Sequence, residues 1–435
     1  MSLPSALLGS AGAIQLIDPA SHTLWPIVDQ SSKDAVLRVL DRGILSGPFA
    51  PESMAFQEEF ANYVGAKHAL LTHSGTSALV VALAAAGVGP GDEVIVPSYT
   101  FVATPLAVSA CGARPLFADV DPITGLLNPS EVRRWLTPRT KAIMPVHVHG
   151  CPADLDELRV IASDAGAVLV EDAAQAHGAT YRGKPVGALG AGGAFSLQSS
   201  KNLGCGEGGI YVTNSAEQAD LANSVRNFGQ DLHLSEANLV PKGRPLDGWR
   251  GLASHRPGSM FRGNEMMAAF ARAQLSLLPA RTARCQDAAT YLAGAIRELP
   301  GLEPPHVPED RTSVHHKYRI RIDRDRAGLA EFPMTRVRNA LLAAMKATGF
   351  EVTTWERTTQ TAQPVFSNDT SVTGVAKENY QAEFPATQEL LDSSLILFSQ
   401  SCPLIAQPEE VVQVYAKALG RIWEHRKAIV ESFAG

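Results

Sequence analysis

Short apolar segments recur between residues 65 and 215, and each is followed by a Gly, Pro or Asp turn and then by a stretch with helical spacing. They are rich in Val, Ile, Leu and Ala and apolar on both faces, as expected for strands of a mainly parallel sheet covered by helices on both sides. Seven strands are predicted, at 68–72, 93–96, 115–119, 142–146, 167–171, 194–197 and 209–213. The pattern therefore predicts an α/β domain.

A smaller α+β domain is predicted to follow. A long helical pattern begins near Asn264 and ends near Pro300. Beyond it, strand-like segments at 315–322, 350–355 and 395–399 are interspersed with helical patterns near 327–347 and 408–430. We therefore divide the chain into an N-terminal segment (1–30), a large α/β domain (31–295) and a small C-terminal domain (296–435). The polar segment 356–385 is predicted to be a long loop of the kind that often forms a lid or binding loop.

Composition narrows the class of partner. The 435-residue chain has a net charge of -6 and no dense Lys/Arg cluster, which gives no electrostatic reason to expect nucleic acid or an anionic membrane. No window of about 18 uninterrupted apolar residues and no secretory signal is found. The five cysteines are widely spaced and form no metal-binding cluster. We therefore expect a cytoplasmic protein with reduced cysteines and no bound metal. Its substrates are expected to be small molecules.

The first candidate motif, His73-Ser74-Gly75-Thr76-Ser77-Ala78-Leu79, directly follows the strand predicted to end at Thr72. Small residues at a helix start allow backbone N–H groups to approach an anion, and the helix dipole favours a phosphate there. A Ser/Thr N-cap without any ligand is the alternative interpretation.

The second candidate motif is Glu171-Asp172 at the end of an apolar strand. Two adjacent carboxylates at such a position are costly unless one meets water and the other meets a cation or several donors. The alternative is that Asp172 caps the next helix.

The third candidate motif places Lys201 between a strand and the glycine-rich turn that includes Gly204 and Gly206. A lysine with few charged neighbours can be desolvated, so that its amine is neutral often enough to form a Schiff base. A solvated loop lysine beside glycines that only turn the chain is the alternative.

The three motifs together contain the parts needed to hold pyridoxal 5′-phosphate. Gly75 and Thr76 would bind the phosphate, Asp172 would keep the pyridine nitrogen protonated, and Lys201 would hold the aldehyde. An aromatic side chain to stack on the ring is available in the segment 97–104, again just after a strand.

These motifs resemble those of the DegT/DnrJ/EryC1/StrS aminotransferases, which aminate keto-sugars and keto-cyclitols. The resemblance extends from about residue 36 to residue 278 and continues weakly to the C-terminus. It rests on the ordered segments "SGTSAL", "GDEVIVPSYTFVAT", "FADVDP", "TKAIMPVHVHG", "VEDAAQAHGA", "FSLQSSKNLGCGEGG" and "FRGNEMMAA". It implies a fold type I transferase and a homodimer with active sites at the subunit interface.

The resemblance also implies residue roles. Lys201 matches the lysine that binds the cofactor aldehyde and shuttles protons, and Asp172 matches the partner of the pyridine nitrogen. Phe101 matches the aromatic residue that stacks on the ring. Gln175 matches a residue near the phenolic oxygen, and Ser196 matches a hydroxyl on the phosphate.

One position departs from the family pattern. Family members often read Gly-Tyr-Asn-Tyr-Arg before the long helix, and the Asn reaches the phosphate of the neighbouring subunit. This chain has Gly258-Ser259-Met260-Phe261-Arg262. Met260 cannot donate that hydrogen bond, so either Arg262 or another group replaces it or the phosphate site is looser.

The resemblance implies a ping-pong transamination from glutamate or glutamine to a keto-cyclitol or keto-sugar in aminocyclitol or aminosugar (secondary metabolite) biosynthesis. Gln198 favours aminocyclitol and aminohydroxybenzoate relatives over nucleotide-sugar members, and the loop after Trp355 is where the acceptor would bind. Three alternatives stay open: a nucleotide-sugar aminotransferase, a dehydratase of the same family, and a non-catalytic regulator that retains the fold. Lys201 argues against the dehydratase, in which a histidine replaces the lysine.

Overall fold

The computed structural model describes residues 15–230, 253–367 and 383–433, together with a short backbone hairpin formed by β1 (Leu8–Gly9) and β2 (Gly12–Ala13). The predicted polar loop is described up to residue 367, and its part from 368 to 382 lies outside the described residues.

The large domain is built on one seven-stranded sheet with the order β3-β11-β10-β7-β6-β4-β5. The strands from residue 68 to residue 213 are β3 (His68–Thr72), β4 (Glu93–Pro97), β5 (Arg114–Ala118), β6 (Thr140–Ile143), β7 (Val168–Asp172), β8 (Thr180–Tyr181), β9 (Lys184–Pro185), β10 (Gly192–Ser196) and β11 (Gly209–Thr213). All neighbours in the sheet are parallel except β11, which is antiparallel to both β10 and β3. The predicted α/β class with a mainly parallel sheet is therefore confirmed.

One predicted strand is shorter than expected. The segment 142–146 was predicted as a strand, but β6 ends at Ile143, two residues before Pro145. Proline has no N–H for a ladder hydrogen bond. Val146 pairs again with Asp172 as an isolated bridge, so the chain still follows β7 to its end.

Helices cover both faces of the sheet, as the apolar character of the strands predicts. Alternate residues of β4 belong to two different apolar clusters: Ile95 lies in one, and Val94 and Val96 lie in the other. The helices up to residue 297 are α1 (Gln30–Arg42), α2 (Pro51–Val64), α3 (Gly75–Ala85), α4 (Ala103–Ala110), α5 (Pro129–Trp135), α6 (Leu155–Asp164), α7 (Ala216–Val225) and α8 (Glu265–Arg297).

The small domain contains an antiparallel sheet of four strands in the order β12-β14-β16-β15. Its strands are β12 (Leu302–Glu303), β13 (Arg311–Thr312), β14 (Tyr318–Ile322), β15 (Val352–Thr353) and β16 (Ser394–Leu397). Its helices are α9 (Met334–Ala347), α10 (Pro364–Ser367), α11 (Pro385–Ser393), α12 (Glu409–Glu424) and α13 (Arg426–Ser432). The helix predicted near 327–347 begins only at Met334, directly after Pro333, and the pattern at 408–430 is divided at His425.

The small domain and the N-terminal segment both contact the turn after β10. Asn202 Nδ2 donates to Val314 O (2.9 Å), and Trp25 Nε1 donates to Lys201 O (3.0 Å). The backbone N–H of Leu16 donates to Thr348 O (2.9 Å), which attaches the N-terminal segment to the small domain. Segments far apart in sequence thus converge on Lys201. Within the described ranges, no helix is both long and apolar enough to span a membrane.

Candidate active site

The carboxyl ends of four strands meet at one edge of the large sheet. β7 and β10 are parallel neighbours with Asp172 opposite Ala194, and β3 and β4 run in the same direction. A Cβ atom on Gly75 would lie only 2.6 Å from Cβ of Ser196, so the turn after β3 packs directly on the end of β10. Ligands of open α/β sheets bind at this edge.

Asp172 ends β7 with a buried carboxylate that is 3% exposed. Thr104 Oγ1 donates to its Oδ2 (2.7 Å), and the backbone N–H of Ala174 donates to its Oδ1 (3.1 Å). Burial raises the pKa of Asp172, against the opposing effects of these hydrogen bonds and of the charge on Lys201. Turns rather than a helix follow the strand, so the helix-capping alternative does not describe Asp172.

Lys201 lies in the turn between β10 and β11, and its backbone is held on both sides. Its N–H donates to Gln198 O (2.8 Å), and its carbonyl accepts the indole N–H of Trp25 (3.0 Å). Burial of the amine lowers the pKa of Lys201 to about 8; attraction to Asp172 opposes this shift and repulsion from Lys317 adds to it. An amine in this state is neutral in a large fraction of molecules at pH 8, as a nucleophile requires.

The turn after β3 has the geometry of an anion site. Ser74 caps α3 in the predicted way, because its Oγ accepts from Ser77 N (3.1 Å) and its own N–H donates to Ser77 Oγ (3.0 Å). The next two amides, of Gly75 and Thr76, are first-turn groups with no intrahelical acceptor. No other acceptor contacts them in the described part of the chain. Ser74 is therefore an N-cap, as the alternative interpretation predicted. The cap still leaves the amides of Gly75 and Thr76 free to bind an anion at the helix N-terminus.

Gln175 lies three residues after Asp172, and Phe101 lies just after β4. Gln175 Oε1 accepts from the backbone N–H of His149 (2.8 Å), and the amide NH2 of Gln175 donates to nothing among the described residues. That NH2 group can donate to an oxygen of a bound molecule. Phe101 lies between β4 and α4, three residues before Thr104 in the first turn of that helix, and it is 55% exposed.

Glu171 and His177 stabilise the fold and do not belong to the open edge of the sheet. Glu171 is fully buried and accepts hydrogen bonds from three backbone N–H groups and from His147 Nε2 (3.1 Å). Burial alone would raise the pKa of Glu171, but the hydrogen bonds outweigh it and lower the pKa. His177 packs against Phe195 at a ring-centroid distance of 5.2 Å, and burial lowers its pKa to about 3.

Several residues of this region carry no sequence motif of their own. Thr104 holds Asp172, and its only signal is its position in the segment after β4. Tyr99 Oη and His149 Nε2 are hydrogen-bonded (3.0 Å), and the Trp355 ring contacts both rings at centroid distances of 4.7 and 4.6 Å. His149 has a left-handed backbone (φ 58°) and a buried Nδ1 without a hydrogen-bond partner in the described part of the chain. Tyr99 and His149 thus lie where Trp355 of the small domain reaches the edge of the sheet.

Met260, which replaces the Asn of the family pattern, lies in a segment beside the end of β3. Arg262 pairs with Thr72, and Met260 pairs with Asn227, as isolated bridges. Arg262 Nη1 donates to Asn227 Oδ1 (2.5 Å), so this guanidinium is at least partly engaged within the chain. The Met260 side chain is 45% exposed.

The residues at this edge fit pyridoxal phosphate. Two amides without acceptors among the described residues, the NH2 group of Gln175 and a buried carboxylate that attracts an amine are features that suit a phosphate ester with a phenolic oxygen, a basic ring nitrogen and an aldehyde. Across the described ranges, no three His, Cys, Asp or Glu side chains are arranged to hold a metal ion. This fold and this set of strand-end residues define the aminotransferase class of α/β enzymes.

Comparison with known proteins agrees with this class. Residues 26–400 match the DegT/DnrJ/EryC1/StrS aminotransferase family, and the chain belongs to it. The chain is therefore an aminotransferase of a family that depends on pyridoxal phosphate.

Two curated relatives and one solved structure are similar over most of the chain. It is 42% identical over 293 residues to dTDP-3-amino-3,4,6-trideoxy-alpha-D-glucose transaminase of Streptomyces venezuelae (67% of this chain, 72% of the relative). It is 38% identical over 362 residues to L-glutamine:scyllo-inosose aminotransferase of Streptomyces griseus (80% of each chain). The crystal structure of 3-amino-5-hydroxybenzoic acid synthase superposes with a TM-score of 0.78 and 31% identity, over 92% of this chain and 99% of the other.

Proposed function

We propose that this aminotransferase uses pyridoxal 5′-phosphate to move an amino group from glutamine or glutamate to a keto-cyclitol or keto-sugar in the formation of a secondary metabolite. The observation that carries the proposal is the pair of Lys201 and Asp172: an amine whose pKa burial lowers to about 8 and a buried carboxylate that attracts it. The inosose and dTDP-sugar aminotransferases named above support the same reaction.

In this proposal, the strand-end residues hold the cofactor. Gly75, Thr76 and Ser196 bind the phosphate, and Phe101 covers one face of the ring. Asp172 pairs with the ring nitrogen, and Gln175 donates its free NH2 group to the phenolic oxygen. When bound, pyridoxal phosphate supplies the carbonyl group that receives the amine and the ring that withdraws electrons from the bonds being broken.

Lys201 performs the proton transfers. Its amine, neutral in part near pH 8, takes a proton from the α carbon of the donor and later returns a proton to the carbon that carries the new amine. Asp172 keeps the ring nitrogen charged because Thr104 and Ala174 hold the carboxylate in one orientation. Trp25 and Gln198 fix the backbone of Lys201, so that the amine stays within reach.

A keto-cyclitol is the first candidate acceptor. The inosose aminotransferase is similar over 80% of both chains, whereas the dTDP-sugar relative covers 67% of this chain at higher identity. Gln198, whose Oε1 accepts from the N–H and hydroxyl of Ser200 (2.8 and 2.7 Å), shapes the turn before Lys201. The dTDP-sugar relative favours a nucleotide keto-sugar as the second candidate.

We also propose a cytoplasmic homodimer. Two large apolar side chains on paired segments beside β3 are exposed, Phe228 at 47% and Met260 at 45%, and a partner subunit would cover them. The five cysteines are free thiols, as expected in a reducing compartment.

The test is a half-reaction screen on the purified, cofactor-loaded protein. Glutamine or glutamate alone should convert the absorbance of the aldehyde form into that of the amine form, and a keto-cyclitol should restore it. Borohydride reduction of loaded protein, followed by peptide mass mapping, should find the cofactor on Lys201. An unlabelled Lys201 in fully loaded protein would refute the assignment.

A further inference from the structure

A second lysine lies beside the candidate active site on the side of the small domain. Lys317 directly precedes β14, and its backbone N–H donates to His149 O (3.5 Å). The same segment is held to the residue next to Lys201, because Asn202 donates to Val314 O (2.9 Å) and accepts from His316 Nδ1 (3.3 Å). Lys317 thus lies where the small domain meets the turn of Lys201.

The charge of Lys317 acts on titratable groups of the site. Its ammonium group is close enough to contribute to lowering the pKa of Lys201, of His149 and of His316, although burial is the main cause in each case. Burial also lowers the pKa of Lys317 itself to about 8, against the attraction of Glu356. Glu356 directly follows Trp355, whose ring contacts Tyr99 and His149.

Lys317 has no direct polar partner within the chain as described. Its ammonium group makes no hydrogen bond and no ion pair within 4 Å with any residue in 15–230, 253–367 or 383–433, and Glu356 acts on it only from farther away. Arg319, two residues on, is buried as well, but its guanidinium donates to Ser394 Oγ (3.2 Å) and to Ile123 O (2.5 Å). Among the described residues at this edge that are not assigned to the cofactor, Lys317 is therefore a cation left free for a ligand.

A partly buried, unpaired ammonium group is costly unless an anion compensates it. With the first candidate acceptor, a neutral keto-cyclitol, the substrate that brings an anion to this site is the amino acid donor, through its α-carboxylate. We propose that Lys317 binds the α-carboxylate of the amino donor and so recognises the donor and not the acceptor. This inference rests on the proposed function.

The experiment compares the two half-reactions in cofactor-loaded wild type, Lys317→Met, Lys317→Arg and the exposed control Lys346→Met. In Lys317→Met, the apparent affinity for glutamine in the donor half-reaction should fall by about 10- to 100-fold. This is the loss expected when one partner of a buried charge pair is removed. The rate of the acceptor half-reaction, measured on the amine form of Lys317→Met, should change by less than about threefold. Lys317→Arg should keep most of the affinity for the donor, since it keeps the charge.

Glutarate, an unreactive dicarboxylate, gives a readout that does not depend on turnover. Calorimetry should find that it binds loaded wild type and the Lys346→Met variant, and at least about tenfold more weakly to Lys317→Met. Wild-type affinity should fall as the pH rises through about 8, whereas Lys317→Arg should hold it to higher pH. The other titratable groups that interact with Lys317 are Lys201, His149, His316 and Glu356. All four are present in both wild type and Lys317→Arg, so they do not account for a difference between the two pH profiles.

Equal donor and glutarate affinities in wild type and Lys317→Met would overturn the inference, and so would a defect confined to the acceptor half-reaction. Thermal unfolding of the variants within about 3 °C of wild type excludes a folding defect. If no amino acid reacts with wild type, the proposed function fails, and glutarate binding by the two proteins still decides the role of Lys317.

Discussion

Two sides of the candidate site differ in how the chain builds them. The strand-end side, with Asp172, Lys201 and Ser196, consists of residues at or just after strands of one sheet. Groups two or three residues away hold Asp172 and Lys201, and the more distant Thr104 and Trp25 add one hydrogen bond each. The small-domain side, with Lys317 and Trp355, is assembled from loops that touch His149 across more than 160 residues of sequence. The first side can be recognised from short motifs, whereas the second exists only once the domains pack together.

The comparison predicts that damage to the strand-end side affects both half-reactions, and damage to the small-domain side affects only one. The variants below test this difference, and each is paired with an exposed residue of the same type.

The largest effect is expected for Lys201→Arg. The guanidinium stays protonated and can neither hold the cofactor aldehyde nor take up a proton, so both half-reactions should fall by about 10⁴-fold or more. Single-turnover absorbance measurements check this, with circular dichroism to verify folding. The matched control Lys346→Arg should keep wild-type rates, and comparable rates in Lys201→Arg would contradict the assignment.

Asp172→Asn should lower both half-reactions by about 10²- to 10⁴-fold, because an amide cannot stabilise a charged ring nitrogen as a carboxylate does. The cofactor should also dissociate more readily, which dialysis followed by absorbance measures. The exposed Asp41→Asn is the control. An unchanged rate together with an unchanged spectrum would show that Asp172 has another role.

Thr104→Val should reduce cofactor affinity by about 10-fold and leave the fold intact. The change removes the hydroxyl that donates to Asp172 Oδ2 (2.7 Å), and a hydrogen bond to a charged group contributes about 1.5–3 kcal/mol. Equilibrium dialysis of the apoprotein with cofactor gives the affinity, with the exposed Thr290→Val as control. Affinity equal to that of wild type would mean that Ala174 alone orients the carboxylate.

The sequence predicted the framework of the site well, for a physical reason. Strands buried on both faces have a nearly continuous apolar pattern, so all seven strands of the large sheet, and the residues that follow them, can be placed from the sequence alone. The same pattern could not distinguish Glu171 from Asp172. Only the fold brings Gly187, Leu189 and Gly190 to Glu171 as donors and leaves Asp172 facing the edge.

The small-domain side could not be predicted in this way. Lys317 lies in the segment 315–322 that was predicted as a strand, and nothing in its neighbours in sequence indicates that its backbone N–H donates to His149 O. The strand predicted at 350–355 is reduced to Val352–Thr353, so that Trp355 turns toward Tyr99 instead of extending the small sheet. Such contacts depend on how the domains pack, which short-range patterns do not encode.

The smallest predicted effect links the two sides through the pKa of Lys201. Only the neutral amine attacks the cofactor aldehyde, so the rate of cofactor uptake by the apoprotein should rise by about tenfold from pH 7 to pH 9, with a midpoint at about 8. Asp172 attracts the Lys201 ammonium group and Lys317 repels it. Asp172→Asn should therefore move the midpoint to lower pH, and Lys317→Met should move it to higher pH. Stopped-flow absorbance measures the pH profiles of wild type and the two variants. Shifts in the same direction in both variants would mean that Asp172 and Lys317 do not have opposite effects on the pKa of Lys201.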